Sequence, residues 1–363
     1  MSKAAELAAL ISSQSALSDR NLVINGAMQV AQRATEVTGV TDSGYKAVDR
    51  WQNQTGTLGT FTMSQSTTSP DGFAFSQKYD CTTADASPAS TDFLIFQHRI
   101  EAQNLQHLQY GTSGAKRITL SFHVRSNKTG TYIAELSHGD ATSKNQQSYT
   151  INSANTWEKK TLTYVGQTSD AINNDNGIGM FIQFWLGAGS AFTSGTLTQN
   201  TWANTDNANR AVGQVNLADS TDNEWYITGV QLELGEQATP FEHRSFGDEL
   251  LRCQRYYQMQ VSGTGVASST TNCDFNIQLQ TSMRDAPTIG SQDGEMQITN
   301  VTAADFNSSS LSVSGASGRS GGDELYQGGR VRLSGFTSLT AGDDYIIDVN
   351  SSTPGKITYD AEL

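Results

Sequence analysis

The sequence predicts an all-β protein of two antiparallel β-sandwich domains, with a short N-terminal helix and a helical connector. Three observations carry this. Apolar and polar residues alternate at period two: Ile118, Leu120, Phe122 and Val124 interleave with Thr119, Ser121, His123 and Arg125. Such alternation puts one strand face on a core and the other in water. Turn signals such as Asn127-Lys-Thr-Gly130 and Ser137-His-Gly-Asp140 interrupt the pattern at short intervals. Helical spacing is confined to residues 1–20 and 245–257.

Composition agrees. A chain of 363 residues exceeds the usual single domain, so two domains and a short extension are expected. Only 16% of residues are charged, against roughly a quarter in an ordinary globular enzyme. Ser, Thr, Asn, Gln and Gly fill the deficit, a mixture that suits short strands and many turns. Aromatic and β-branched residues recur throughout, which argues against disorder. The net charge of −13 comes without clustered Lys or Arg, which excludes a phosphate-tracking nucleic-acid binder. Cys81, Cys253 and Cys273 are too few for a disulfide framework and read as free buried thiols of a protein folded in a reducing cytoplasm. No apolar run is long enough to cross a membrane, and the first residues lack a signal-peptide pattern, so neither membrane insertion nor the secretory route is expected.

In chain order, residues 1–20 form the helix, with Leu7, Leu10 and Ile11 on an apolar stripe beside Ala4, Ala5 and Ala8. A helix this short is marginal alone. It therefore reads as an anchoring or association element, the rival being a frayed terminus. Residues 21–244 form the larger sandwich, of jelly-roll type because many short strands follow one another without helices. Asn21–Arg33 reads as its first strand and Gly229–His243 as its last. Met180-Phe-Ile-Gln-Phe-Trp-Leu186 is apolar almost throughout, as for a strand covered on both faces. Residues 187–222 are a long polar loop with Trp202 standing alone, the profile of a functional, interface or mobile segment. Residues 245–363 are the connector and a smaller sandwich. In the connector, Asp248 and Glu249 lie early and Arg252 and Arg255 late, matching a helix dipole. Phe275, Ile277 and Leu279, Val331 and Leu333, Tyr345–Val349 and Lys356–Tyr359 give the later strands, and Ser312–Gly322 an exposed loop.

Two segments carry a resemblance. Asn21-Leu-Val-Ile-Asn-Gly-Ala-Met-Gln-Val-Ala-Gln-Arg33 with Asp49-Arg-Trp51 resembles the start of a domain found in bacteriophage tail-fibre and related virion proteins. Gly229-Val-Gln-Leu-Glu-Leu-Gly-Glu-Gln-Ala-Thr-Pro-Phe-Glu-His243 resembles its end, and Asp248–Tyr257 and Tyr359-Asp-Ala-Glu-Leu363 fit the same group. Between Gln52 and Asn223 the match is one of general character. A broader similarity is to jelly-roll carbohydrate-binding modules, through Asn21, Asn25, Gly26 and Trp51. That likeness concerns fold, and sugar binding does not follow from fold alone. Trp51 reads first as a core residue.

Catalytic patterns are missing. His98, His107, His123, His138 and His243 never adopt the spacing of a zinc protease helix. Gly315-Ala-Ser-Gly318 and Gly318-Arg-Ser-Gly321 have the wrong spacing for a nucleophile elbow, and Gly355-Lys-Ile357 is not a phosphate loop. Asp343-Asp344 and Asp248-Glu249 are adjacent carboxylates, which a strand would point to opposite faces. Asn173-Asn-Asp-Asn-Gly177 offers oxygen ligands but fails the EF-hand template and reads as an Asx turn rather than a calcium loop. No metal and no cofactor are expected. Trp202 is the first candidate for ligand contact, with Tyr110 behind it, although Trp202 packing on a neighbouring subunit is an equal reading. Trp157, Trp185 and Trp225 read as core.

The expectation is a non-enzymatic structural protein of a bacteriophage virion, assembled in the host bacterial cytoplasm. A homo-oligomer is expected, a trimer first, with the N-terminal segment meeting other virion proteins. A tail fibre or adhesin touching host-surface glycans leads. A capsid-decorating or head-fibre protein and a host-polysaccharide depolymerase are the alternatives.

Overall fold

The computed structural model describes residues 19–204, 206–260, 262–292, 297–300, 305–307, 312–315, 328–348 and 356–363. The chain divides into two units, one running to Glu249 and including Leu363, the other Leu250–Glu362. The helix expected over residues 1–20, with Leu7, Leu10 and Ile11, lies outside the described residues.

The first unit carries β1 (Glu36–Val40), β2 (Gly44–Tyr45), β3 (Trp51–Thr55), β4 (Thr60–Ser66), β5 (Ser76–Thr83) and β6 (Phe93–Glu101). There follow β7 (Ile118–Ser126), β8 (Gly130–His138), β9 (Lys144–Ile151), β10 (Glu158–Tyr164), β11 (Ile178–Ala188) and β12 (Glu224–Leu234). They form two six-stranded sheets, in the orders β1-β4-β5-β12-β7-β10 and β2-β3-β6-β11-β8-β9. Only β2–β3, β4–β5 and β8–β9 join sequence neighbours within a sheet; the other connections cross between sheets, as in a jelly roll.

Period two builds the core. Ile118, Leu120, Phe122 and Val124 are fully buried on the inner face of the first sheet. Against them the second sheet sets Trp51, Phe96 and Phe184, with Trp51 stacked on Phe96 at 4.7 Å between ring centroids and Phe122 edge-on to Phe184 at 5.0 Å. Trp51 is thus a core residue. The expectation for Met180–Leu186 also holds: Met180, Ile182, Phe184 and Leu186 face the core, while Trp185 is fully buried on the other face.

Asn21–Arg33 is not a strand, which corrects the sequence reading. It is an irregular segment without a strand ladder, held by side chains and by isolated main-chain bonds such as Leu22 N to Leu232 O and Val230 N to Gly26 O, 2.9 Å each. Asn25 adopts φ 58° and is fully buried. Its amide donates to the carbonyls of Val30 (2.8 Å) and Asp49 (2.9 Å) and accepts from Val30 N (3.0 Å). The Trp51 indole donates to the Asn25 carbonyl at 3.1 Å. Asn21 bridges to the last strand, donating to Val230 O at 3.0 Å and accepting from Leu232 N at 3.1 Å. Asn suits such a segment because it tolerates left-handed backbone and bonds to nearby main chain. Gly26 lies against Val230, where a Cβ would stand 2.1 Å from the carbonyl oxygen.

Trp157 is a second correction, since it lies just before β10, half-buried and edge-on to Tyr226 at 6.2 Å. The long polar segment 187–222 contains a short helix α1 (Ser190–Thr193) and two 3₁₀ turns. Helix α2 (Phe246–Gln254) begins after Ser245, whose hydroxyl accepts from Asp248 N at 3.2 Å, a Ser/Thr-type helix cap.

The second unit carries β13 (Tyr257–Gln260), β14 (Thr264–Ala267), β15 (Asn272–Gln278), β16 (Thr288–Gln292) and β17 (Gln297–Asn300). After them come β18 (Asp305–Asn307), β19 (Ser312–Gly315), β20 (Gly328–Ser334), β21 (Asp344–Asp348) and β22 (Lys356–Asp360). Sheets β13-β22-β16 and β18-β17-β21-β14-β15-β20-β19 share a core in which Phe275, Leu333 and Tyr345 meet Ile357 and Tyr359. The sequence assigned Ser312–Gly322 to a loop, but its first four residues form β19, paired with β20; residues 316–322 lie outside the described residues.

Candidate functional site

The inner face of the second sheet is apolar, so its chemistry sits on the outer face. There one row crosses five strands in register: Gln52 pairs with Gln97, Gln97 with Gln183, Gln183 with Glu135, and Glu135 with Gln146. At about 4.8 Å per strand the row spans roughly 19 Å. Direct partners project from the same face, so the five side chains touch. The Gln97 amide lies 2.6 Å from that of Gln52 and 3.0 Å from that of Gln183. Ser137 Oγ reaches Gln183 Oε1 at 3.0 Å and Glu135 Oε1 at 2.9 Å. Gln146 Nε2 donates to Glu135 Oε2 at 2.9 Å.

The two ends differ. Glu135 is fully buried, and its carboxylate is clamped by Arg210, with Nη2 at 2.6 Å and Nε at 3.1–3.2 Å. The same guanidinium lies over the Trp185 ring at 4.9 Å. A buried carboxylate so supplied with donors is satisfied, where an unpaired one would be costly. At the other end Gln52, Gln54, Arg99 and Phe181 are half-buried and flank Gln97 and Gln183. Arg99 lies over the Phe181 ring at 5.5 Å and donates through Nη1 to the Leu363 carbonyl. With its oxygen turned toward Arg99, the Gln97 amide accepts from Nε and Nη2 at 3.1 Å each, the sense a charged donor favours. Arg99 at one end, and Arg210 and Ser137 donating to Gln183 Oε1 at the other, constrain the sense in which the amides between them bond.

The 187–222 segment decides which part is closed. Beside the row, Ile95, Ile133 and Trp185 form an apolar strip capped by Phe192, Leu197 and Ala211. Phe192 packs on Trp185 at 5.4 Å and on Phe93 at 5.5 Å. The segment also bridges the edge strand β9, with Ala203 against Lys144 and Gln199 against Gln146, so that edge is covered.

Trp202 and Tyr110 lie elsewhere. Trp202 is half-buried on the main core, its indole N–H donating to Val165 O at 2.7 Å. Tyr110 is 5% exposed and edge-on to Trp202 at 5.8 Å, and burial raises its phenol pKa. The two are packed on each other and on their own domain. In Asn173–Gly177, Gly177 N bonds to Asp175 Oδ1 at 2.9 Å, the Asx turn expected, while Asn173 is held by Asp140. No group of three or more His, Cys, Asp and Glu that could hold a metal occurs among the described residues.

The sequence reading missed the row. Its signal was a lone Gln183 inside an apolar strand and Gln97 inside Phe93-Leu-Ile-Phe-Gln-His98; pairing them needed the register.

No family model matches the chain, and no curated protein does. Among solved structures, the enzymatically active domain of bacteriophage CBA120 tailspike protein 4 is 14% identical with a TM-score of 0.29, over 60% of this chain and 22% of that one. TmCBM61 in complex with β-1,4-galactotriose is 7% identical with a TM-score of 0.30, over 60% of this chain and 100% of that one. A family 11 carbohydrate-binding module from Clostridium thermocellum, in complex with a β-1,3-1,4-mixed-linked tetrasaccharide, is 10% identical with a TM-score of 0.28, over 58% of this chain and 99% of that one. At these identities and TM-scores the likeness decides neither family nor function.

Proposed function

We propose that the chain is a non-enzymatic bacteriophage virion protein of the tail-fibre or adhesin kind, and that its first unit binds a host-surface glycan along the glutamine row. The row carries this reading. Sugar hydroxyls both donate and accept, and the half-buried amides of Gln52 and Gln54 offer both at the open end, held in place by the buried Gln97 and Gln183 behind them. The side chains stand on five hydrogen-bonded strands, a rigid platform of the kind that preorganises a site. Phe181 gives the open end an aromatic surface. The row's one carboxylate, Glu135, is buried and clamped, which disfavours the paired-carboxylate chemistry of glycoside hydrolysis. The virion assignment rests on the resemblance of Asn21–Arg33 and Gly229–His243 to phage tail-fibre segments.

The test is binding of the whole chain to purified host-envelope polysaccharide. Gln97→Ala is expected to weaken binding at least tenfold while leaving the circular-dichroism spectrum intact. Unchanged binding would remove the row from the site, and release of reducing ends would overturn the non-enzymatic reading. Immunogold label on intact virions is expected at the tail; label over the capsid shell would replace the adhesin with a decorating protein.

A further inference from the structure

The second unit has a hollow of its own. It lies on one face of the seven-stranded sheet, with a volume of about 400 Å³, lined among others by Thr264, Val266, Asn276, Thr299, Asp344 and Ile346. That volume is in the range of small-ligand sites. Register explains the grouping: Asn276 pairs with Thr264, Thr264 with Ile346, Ile346 with Thr299, and Val266 with Asp344, so these side chains project from one face. The opposite face carries Phe275, Tyr345 and Ile347 into the core.

Two features set this face apart. Val266 and Ile346 are 45% and 51% exposed, a small apolar surface on strands that otherwise turn such residues inward. Around them Thr264, Asn276 and Asp344 make no side-chain hydrogen bond with any described residue, which leaves a hydroxyl, an amide and a carboxylate for a ligand. The neighbouring Asp274 is already taken, bound by Arg332 through 2.7 and 2.9 Å contacts and approached by Arg330 at 3.8 Å. Arg332 and Arg330 at the rim are thus already engaged by Asp274, and with Asp344 adding a second carboxylate an anionic ligand gains little here.

We infer that this hollow is a site for an N-acetylated sugar. An acetamido group has a methyl that suits the Val266–Ile346 surface. Its N–H is a donor for the Asp344 carboxylate, and its carbonyl an acceptor for Asn276 or Thr264. Ring hydroxyls use what remains. A plain hexose lacks the methyl and leaves the apolar pair uncovered. The inference does not depend on the glutamine row of the first unit.

The test uses the full chain with chitotriose and cellotriose, which differ in the acetamido group. Saturation-transfer NMR is expected to show binding of chitotriose with strongest transfer at the acetyl methyl, and at least tenfold weaker binding of cellotriose. Ile346→Asp and, separately, Val266→Thr are expected to reduce chitotriose binding at least fivefold. Both positions are exposed, and circular dichroism confirms folding. Equal binding of the two sugars, no binding of chitotriose at millimolar concentration, or no effect of either variant would overturn the inference. Self-association in sedimentation that Ile346→Asp abolishes would also overturn it, assigning the face to a second copy of the chain.

Discussion

Replacing Arg210 by alanine tests whether the covered end of the row is a satisfied buried ion pair. Glu135 is fully buried, and its partners are Arg210, Ser137 and Gln146. Arg210→Ala leaves two neutral donors facing a buried carboxylate, and breaking such a pair from one side costs about 3–5 kcal/mol. For a unit of this size that lowers Tm by roughly 6–20 °C. All five tryptophans, from Trp51 to Trp225, lie in the first unit, so fluorescence-monitored unfolding reports on it alone. The double variant Glu135→Gln with Arg210→Met removes both charges and is expected to recover most of the loss. A single variant within about 1 kcal/mol of wild type, or a double variant no more stable than the single one, would refute the reasoning.

Two further outcomes follow from the first unit. His98 is 1% exposed, and burial, aided by the Arg50 charge, holds its imidazole pKa well below 6.5. A depressed folded pKa gives stability that is present above the unfolded value and lost as pH falls, by up to about 1.4 kcal/mol per pH unit. Urea midpoints are expected to drop between pH 6.5 and 5.5 and to drop less in His98→Gln; equal slopes would exclude His98 as the cause. Gly26→Ala places a Cβ against the Val230 carbonyl and is expected to cost about 2–4 kcal/mol through overpacking and the loss of a buried hydrogen bond. Gly247→Ala meets open space and serves as the control, so similar destabilisation by both would point to something other than close approach.

The sequence showed the fold class because period two marks the core face, as Ile118, Leu120, Phe122 and Val124 do in β7. The polar residues Thr119, Ser121, Gln231 and Glu233 on the other face of β7 and β12 are buried as well, rather than in water. The sequence misplaced Asn21–Arg33 because that segment's apolar residues look like a strand, while the Asn21 and Asn25 side chains and a few isolated main-chain bonds, not a ladder, hold it. It missed β19 because Ser312–Gly315 has turn-like composition and is a strand by pairing with β20. Trp202 drew attention as a lone aromatic in a polar loop, and its indole N–H is spent on Val165. The row was invisible for a more general reason. Its residues come from five strands between Gln52 and Gln183, and only the cross-strand register brings them onto one line.

The polar segment 187–222 and the row are best understood together. The outer face of the second sheet has an apolar strip, Ile95, Ile133 and Trp185, and a polar row beside it. Left bare, the strip would expose large apolar side chains, which a soluble domain avoids in contiguous patches. The segment covers it with Phe192, Leu197 and Ala211, and in doing so brings Arg210 over Glu135. That contact closes one end of the row and leaves Gln52, Gln54 and Phe181 half-buried at the other. On the proposed reading, a ligand would reach the half-buried Gln52 and Gln54 end from the β3 side, because Gln183, Glu135 and Gln146 are buried beneath and beside the segment.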